Sequence, residues 1–134
     1  MSRFERTRTV QASDCDELGH VNNVTWVRFV VDLAVAHSAS LGLGSERYRE
    51  LGAWWVVHRH EVEYRLPALP GEKIGEETWV EEMRGARCLR RSRFTRPGDS
   101  ALYVEAATTW VWTAAASGRP RRIPPEVSGR FVDA

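Results

Sequence analysis

The spacing of apolar residues changes along the chain and divides it into a helical part and a part made of strands. Residues 4–10 alternate between charged and β-branched or aromatic side chains, which predicts a first strand. From residue 23 to residue 41 the apolar positions recur at helical spacing, and Asn22 or Asn23 is placed to cap the start. A short second helix is predicted over 45–51.

The long helix carries little polar surface. Only Arg28, Asp32 and His37 interrupt its apolar residues. A helix that is apolar on most sides needs cover on most sides, so we expect a sheet wrapped around it. A membrane span would not readily carry these three polar residues, and no transmembrane helix is predicted.

The apolar period changes to two after the second helix, which indicates strands. Pro67 and Pro70 separate the first two strands, and turns at Gly85 and Gly98 separate the others. We therefore expect an antiparallel meander, followed by a surface extension over the proline- and arginine-rich residues 117–127. The fold class is α+β. The predicted strands are 54–64, 73–83, 86–96 and 101–114.

Composition narrows the class of protein. The 134 residues fit one domain, predicted to span 1–134, and 19 basic against 18 acidic residues give a net charge of +1. This balance favours neither nucleic acid nor an anionic membrane as a partner. Cys15 and Cys88 match neither a zinc spacing nor a disulfide framework, and the first residues lack a secretory apolar region. We expect a cytoplasmic protein.

The segment DCDELGHVNN, residues 14–23, concentrates acids, a histidine and amides against a helix N-terminus. Unpaired backbone N–H groups and the helix dipole at this end can stabilise a developing oxyanion, and a nearby carboxylate can activate water or attack a carbonyl. Such residues are also ordinary capping and turn residues. Chemistry alone leaves both interpretations open. Cys15 beside His20 lacks the strand-to-helix elbow of a nucleophile.

The same segment, followed by Trp26 and Phe29, resembles the signature of hot-dog-fold acyl-CoA thioesterases of the 4-hydroxybenzoyl-CoA thioesterase type. The resemblance implies a hot-dog fold, in which an antiparallel sheet wraps around one long central helix. It also implies thioester hydrolysis with Asp16 as general base or nucleophile. The backbone N–H around Asn23 would point at the thioester oxygen.

His20 and Asn22 match positions of the same motif, and we expect them to position the reacting groups or the substrate. A second resemblance, over residues 55–131, is to acyl-ACP thioesterases. The chain departs from that pattern at Leu18, where those enzymes carry an asparagine. This departure favours the simpler Asp-centred arrangement of the acyl-CoA enzymes.

Three further residues are candidates for substrate binding. His58 is predicted to share a strand face with His60 and to line a pocket, and no third ligand is spaced for a metal. Arg90 and Arg91 belong to a basic cluster around one strand. That cluster is either a solvated face or a surface that recognises coenzyme A phosphates or an acidic acyl carrier protein.

These patterns predict a homodimer, with further pairing into a homotetramer left open, because edge strands need cover. It would hydrolyse acyl thioesters of coenzyme A, or of acyl carrier protein, without a metal or other cofactor. One alternative is a hydratase or dehydratase, for which only His37 and Asp32 are available on the central helix. The other is a non-catalytic acyl-thioester binding protein.

Overall fold

The computed structural model describes residues 2–132. The predicted helices and strands are all present, and their ends agree to within one or two residues. Short 3-10 turns cover Ala12–Asp14 and Gly129–Phe131. The main elements in chain order are β1 (Arg3–Thr9), α1 (Asn23–Ser40), α2 (Ser45–Leu51), β2 (Ala53–Tyr64), β3 (Lys73–Arg84), β4 (Arg87–Thr95), β5 (Leu102–Ala114) and α3 (Pro125–Ser128).

The strands form one antiparallel sheet in the order β1-β3-β4-β5-β2. The predicted four-strand meander is therefore wrong for β2, which pairs with β5 at the far edge. The eight-residue link 65–72 crosses to β3, and it can span about 26 Å, more than the roughly 14 Å between these strands. Its prolines, Pro67 and Pro70, suit a crossing chain and not a tight hairpin.

Helix α1 lies on the inner face of the sheet and buries one side in the core. Trp26, Phe29 and Leu33 are almost fully buried there. The expectation that the helix is covered on most sides is not met within one chain, since Val24 is 70% and Val35 60% exposed. The helix therefore presents an apolar stripe to solvent. Across residues 2–132 no single helix is long and apolar enough to cross a bilayer, and α1 with α2 reaches that composition only as a bent pair.

A β-bulge shifts the register of β2 against β5 between Val57 and Arg59. The extra residue is His58, so the alternation of side chains reverses at this point. His60 lies on the inner face, where its Nδ1 is 2.9 Å from Oγ1 of Thr108. The prediction that His58 and His60 share one face is therefore wrong, because period-two counting does not detect a bulge.

The C-terminal segment contributes to the core. Ile123, Val127 and Phe131 are buried against Trp112 and Ala53. The expected surface extension is correct for the exposed arginines of this segment and wrong for its apolar residues. Val127 lies in α3, a single turn of helix, and Phe131 lies in the 3-10 turn that follows it.

Candidate functional site

The segment before α1 folds back on itself as a short antiparallel loop. Cys15 and Val21 form an isolated bridge, and the backbone N–H of Asp16 donates to the His20 carbonyl at 3.1 Å. The Gly19 N–H donates to the Asp16 carbonyl at 3.0 Å, with Gly19 at a φ of +84° that favours glycine. The loop thus fixes the backbone of Asp16 next to the chain that enters the helix.

The Asp16 side chain is half-buried at the tip of this loop. Its Oδ1 accepts a hydrogen bond from the Leu18 N–H at 2.9 Å. Burial, reinforced by the charges of Asp14 and Asp16, raises the pKa of the Cys15 thiol above its ordinary value. A protonated thiol is a poor nucleophile, so the carboxylate is the better candidate for chemistry in this loop.

The N-terminus of α1 is capped by Asn22. Its Oδ1 accepts from the Val24 N–H at 2.8 Å, which leaves Asn23 to present the first N–H of the helix. On the other side, the Tyr64 hydroxyl donates to the Asn23 carbonyl at 3.0 Å. The end of β2 therefore packs against the first turn of α1, a contact that the sequence did not predict.

The remaining predicted binding residues do not gather at this loop. His58 is exposed on the outer face of the sheet, beside a cleft that also includes Trp54 and Arg87. Arg91 is also exposed and pairs with Glu81 at 3.1 Å. The sheet separates these outward side chains from α1.

Arg90 points the other way and is buried between the sheet and α1. Its Nη1 lies 2.9 Å from Nδ1 of His37 and 3.1 Å from Oγ1 of Thr78. The guanidinium can only donate, so Nδ1 of His37 accepts and its Nε2 carries the proton, 3.2 Å from the Ser2 hydroxyl. Arg90 and Arg91 therefore do not form one solvated basic surface.

His37 is held neutral in this arrangement. Burial, with the charge of Arg90 as a second cause, lowers the pKa of His37 to about 4. Asp32 lies elsewhere on α1, where its carboxylate is 3.9 Å from Arg8. The helix therefore lacks, in the described chain, the paired histidine and acid that the hydratase alternative needs.

A cavity of about 170 Å³ opens between the C-terminal half of α1, α2 and the sheet. Its walls are mostly apolar and include Ala34, Tyr48, Trp55, Trp110 and Phe131. Arg90 also reaches the wall. No group of three or more His, Cys, Asp or Glu side chains that could hold a metal ion occurs within residues 2–132.

Sequence comparison decides the family. The model of the thioesterase-like superfamily matches residues 10–131, which is most of the chain. The chain belongs to the thioesterase-like superfamily. Among curated protein sequences, none matches this superfamily member significantly.

Solved structures similar to this thioesterase-like protein confirm the hot-dog fold. A proposed oleoyl thioesterase from Lactobacillus plantarum has a TM-score of 0.92 at 18% identity, over 97% of this chain and 50% of that one. The chain thus spans half the length of that protein. A 1,4-dihydroxy-2-naphthoyl-CoA thioesterase from Synechocystis has a TM-score of 0.90 at 16% identity, over 98% of this chain and 97% of that one. A hypothetical protein from Staphylococcus aureus, solved in complex with CoA, has a TM-score of 0.89 at 16% identity, over 96% of this chain and 81% of that one.

Two features of this superfamily member were missed by sequence reasoning. Tyr64 at the helix start carries no signal beyond its place at a strand end. The sequence partly indicated that His37 and Arg90 are buried. His37 is the one histidine within the apolar helix, and Arg90 lies on the same strand face as the apolar Cys88. Pairing across 53 positions requires the three-dimensional fold.

Proposed function

We propose that this protein hydrolyses acyl thioesters of coenzyme A, with Asp16 as the catalytic carboxylate. The observation that carries the proposal is the loop that fixes Asp16 beside the first turn of α1. The superfamily supports thioester chemistry, and the similar Staphylococcus protein solved with CoA supports this carrier.

Asp16 has two possible parts in the reaction. As a general base, it takes a proton from water while the water oxygen attacks the thioester carbonyl carbon; the C–S bond then breaks and the sulfur leaves as the thiol. As a nucleophile, its carboxylate oxygen attacks the same carbon and the C–S bond breaks, which gives a mixed anhydride and a thiolate that takes a proton from solvent. Water then hydrolyses the anhydride to the free acid and regenerates the Asp16 carboxylate. The bond from Leu18 to Oδ1 leaves Oδ2 available for either role.

The N-terminus of α1 supplies the group that would stabilise the oxyanion. Asn22 occupies the Val24 N–H, so the Asn23 N–H is the donor proposed for the thioester oxygen. The bond from Tyr64 to the Asn23 carbonyl holds this turn in place. His20 and Asn22 are proposed to position the loop and the substrate.

The proposed active unit is a homodimer formed through β2. This strand is twelve residues long and lies at an edge of the sheet, where Trp54 and Val56 are 46% and 45% exposed. Its first five residues, 53–57, are apolar, and an exposed strand edge with apolar residues favours pairing with another strand. A two-fold axis through paired β2 edges also sets the two α1 helices antiparallel, so that the exposed stripe with Val24 and Val35 meets its copy.

The test of the proposal is thiol release from a panel of acyl-CoA esters by the wild type and by Asp16→Asn, with Glu17→Gln as the matched control. Glu17 is the neighbouring exposed acid of the same loop. We expect turnover by the wild type and by Glu17→Gln, and a loss of about 10²-fold or more in Asp16→Asn. Turnover of acyl-ACP but of no acyl-CoA ester would show that the carrier is acyl carrier protein and not coenzyme A. Binding of the esters without turnover of any of them would refute hydrolysis.

A further inference from the structure

The cavity beside the C-terminal half of α1 contains a cation that the proposed reaction does not use. Arg90 is 3% exposed and is one of the residues that line this cavity. Its Nη1 serves two neutral acceptors, on His37 and Thr78. Within residues 2–132 no carboxylate pairs with it.

The other guanidinium nitrogens of Arg90 make no hydrogen bond within residues 2–132. The buried side-chain nitrogens without a partner in the described part of the chain are the indole Nε1 atoms of Trp110 and Trp112. Nε and Nη2 of Arg90 also lack an acceptor within residues 2–132, but they are not among these fully buried atoms. Arg90 lines the cavity, so its guanidinium is within reach of a ligand bound there.

A buried guanidinium that has no carboxylate partner within residues 2–132 is costly to desolvate, and its hydrogen bonds to two neutral acceptors offset only part of that cost. Arg90 is therefore poorly explained as a structural residue. We infer that the cavity takes the acyl part of the substrate and that Arg90 binds a carboxylate at the far end of this acyl group. Guanidinium and carboxylate form short, charge-assisted hydrogen bonds.

The cavity walls indicate the shape of this acyl group. Tyr48, Trp55, Trp110 and Phe131 present aromatic surface. A cavity of about 150 Å³ is known to hold a benzene ring, and this one is about 170 Å³. The substrate class is therefore an aryl thioester that carries a carboxylate on the ring, opposite the thioester.

The cavity is far from the Asp16 loop of its own chain. Val35 at the cavity follows Asn23 by twelve positions, which is about 18 Å along the helix and longer than one ring can span. In the proposed dimer the helices are antiparallel, and a two-fold axis near the middle of α1 would place the cavity of one subunit beside the Asp16 loop of its partner. This part of the inference rests on the proposed function.

The cavity can be tested without turnover, because Trp55 and Trp110 report on it by fluorescence. The probes are 4-carbamoylbenzoate and 4-methylbenzamide, which differ in the distal carboxylate. We expect the wild type to bind the carboxylate probe at least about tenfold more tightly. Arg90→Met should lose this preference, and Arg91→Met, the neighbour on the outer face, should keep it.

Turnover then separates the two proposals. Hydrolysis of 4-carboxybenzoyl-CoA should exceed that of 4-methylbenzoyl-CoA in kcat/KM by about tenfold in the wild type and not in Arg90→Met. Preferential binding of the carboxylate probe, with no hydrolysis of these two esters or of any ester in the acyl-CoA panel, would support the cavity and refute the proposed function. Equal binding of the two probes by the wild type would overturn the cavity inference, whether or not Arg90→Met folds.

Discussion

Two charged side chains are buried between α1 and the sheet, and they differ in the charge of their partners. Glu76 on β3 is fully buried and accepts from Nε of Arg6 at 2.6 Å and from Nε of Arg8 at 2.9 Å. Arg90 on β4 is almost as deeply buried, and its partners within residues 2–132 are neutral. The first charge is neutralised by two arginines of the chain, whereas the described residues provide no carboxylate for the second.

The surroundings of the two charges differ in the same way. Beside Glu76, the guanidinium of Arg8 also covers the Phe29 ring, 4.0 Å from its centroid, so this end of the interface is filled. Beside Arg90 lies the cavity with Tyr48 and Trp110. The comparison teaches that burial of a charge does not by itself mark a structural residue. We assign a structural role to the charge that is paired with opposite charges, and we infer a ligand for the charge that lies beside a cavity and has no carboxylate partner among the described residues.

The largest effect is expected from Glu76→Ala, which leaves two guanidiniums without their carboxylate. Both are partly exposed and can regain water, so we expect a loss of about 3 kcal/mol in the free energy of unfolding by urea denaturation. Glu77→Ala is the matched control, because Glu77 pairs with Arg3 at the surface. It should cost less than about 1 kcal/mol.

Arg90→Met should behave unlike Glu76→Ala in the same denaturation experiment. Removing the buried charge also removes its desolvation cost, but it takes the donor from His37 Nδ1 and Thr78 Oγ1, so a loss of about 1–2 kcal/mol, smaller than that of Glu76→Ala, is expected. A destabilisation as large as that of Glu76→Ala would show that Arg90 has a structural role, and the contrast between the two charges would fail.

The buried site around Arg90 should also affect how the free energy of unfolding depends on pH, through its partner His37. Its pKa is about 4 in the folded protein and about 6.5 when unfolded, so the unfolded chain binds more protons between these values. The contribution of His37 to the free energy of unfolding is therefore fully present above pH 6.5 and is lost as the pH decreases towards 4. His37→Gln should flatten this part of the profile, measured by urea denaturation at each pH.

An NMR titration of the His37 ring in Arg90→Met measures how much the charge of Arg90 lowers the pKa of His37. Burial is the larger cause of the low pKa and the charge of Arg90 the smaller. The pKa should therefore rise above about 4 and stay below 6.5 when the charge is removed. An unchanged pKa would mean that the guanidinium charge does not act on His37.

The smallest effect is expected from Thr78→Val, which removes one of the two acceptors of Arg90. Thr78 Oγ1 also donates to the Arg91 carbonyl at 2.7 Å. Loss of these hydrogen bonds should cost about 1 kcal/mol in the free energy of unfolding. Ser92→Ala, which changes the hydroxyl 3.2 Å from Thr78, is the control and should cost less. Equal losses would mean that the Arg90 contact contributes nothing to stability.

Much of the fold could be predicted because local patterns carry it. The period of 3.6 over α1 and the period of two over the strands depend on which face each element buries. The position of β2 at the sheet edge and the bulge at His58 were not predicted, since both depend on pairing between distant segments. An eight-residue link is equally compatible with pairing to a neighbour and with crossing.

The candidate site was predictable in part for the same reason. Asp16, Asn22 and Asn23 lie in one short segment, so their proximity follows from the chain itself. Arg90 was predicted to bind substrate as a member of a basic cluster, but its burial, its contact with His37 and its cavity depend on the packing of α1 on β4. Alternation alone could place Arg90 and Arg91 on opposite faces without showing which face is covered.

The central claim is that Asp16 of one subunit and Arg90 of its partner serve one acyl thioester. The most direct measurement is hydrolysis of 4-carboxybenzoyl-CoA by mixed dimers that contain one Asp16→Asn subunit and one Arg90→Met subunit. The homodimers of the two variants, purified separately, are the controls. A mixed dimer has one site with both residues intact, so activity above that of either parent is predicted, near half that of the wild-type dimer. A mixed dimer no more active than the average of its parents would contradict the claim.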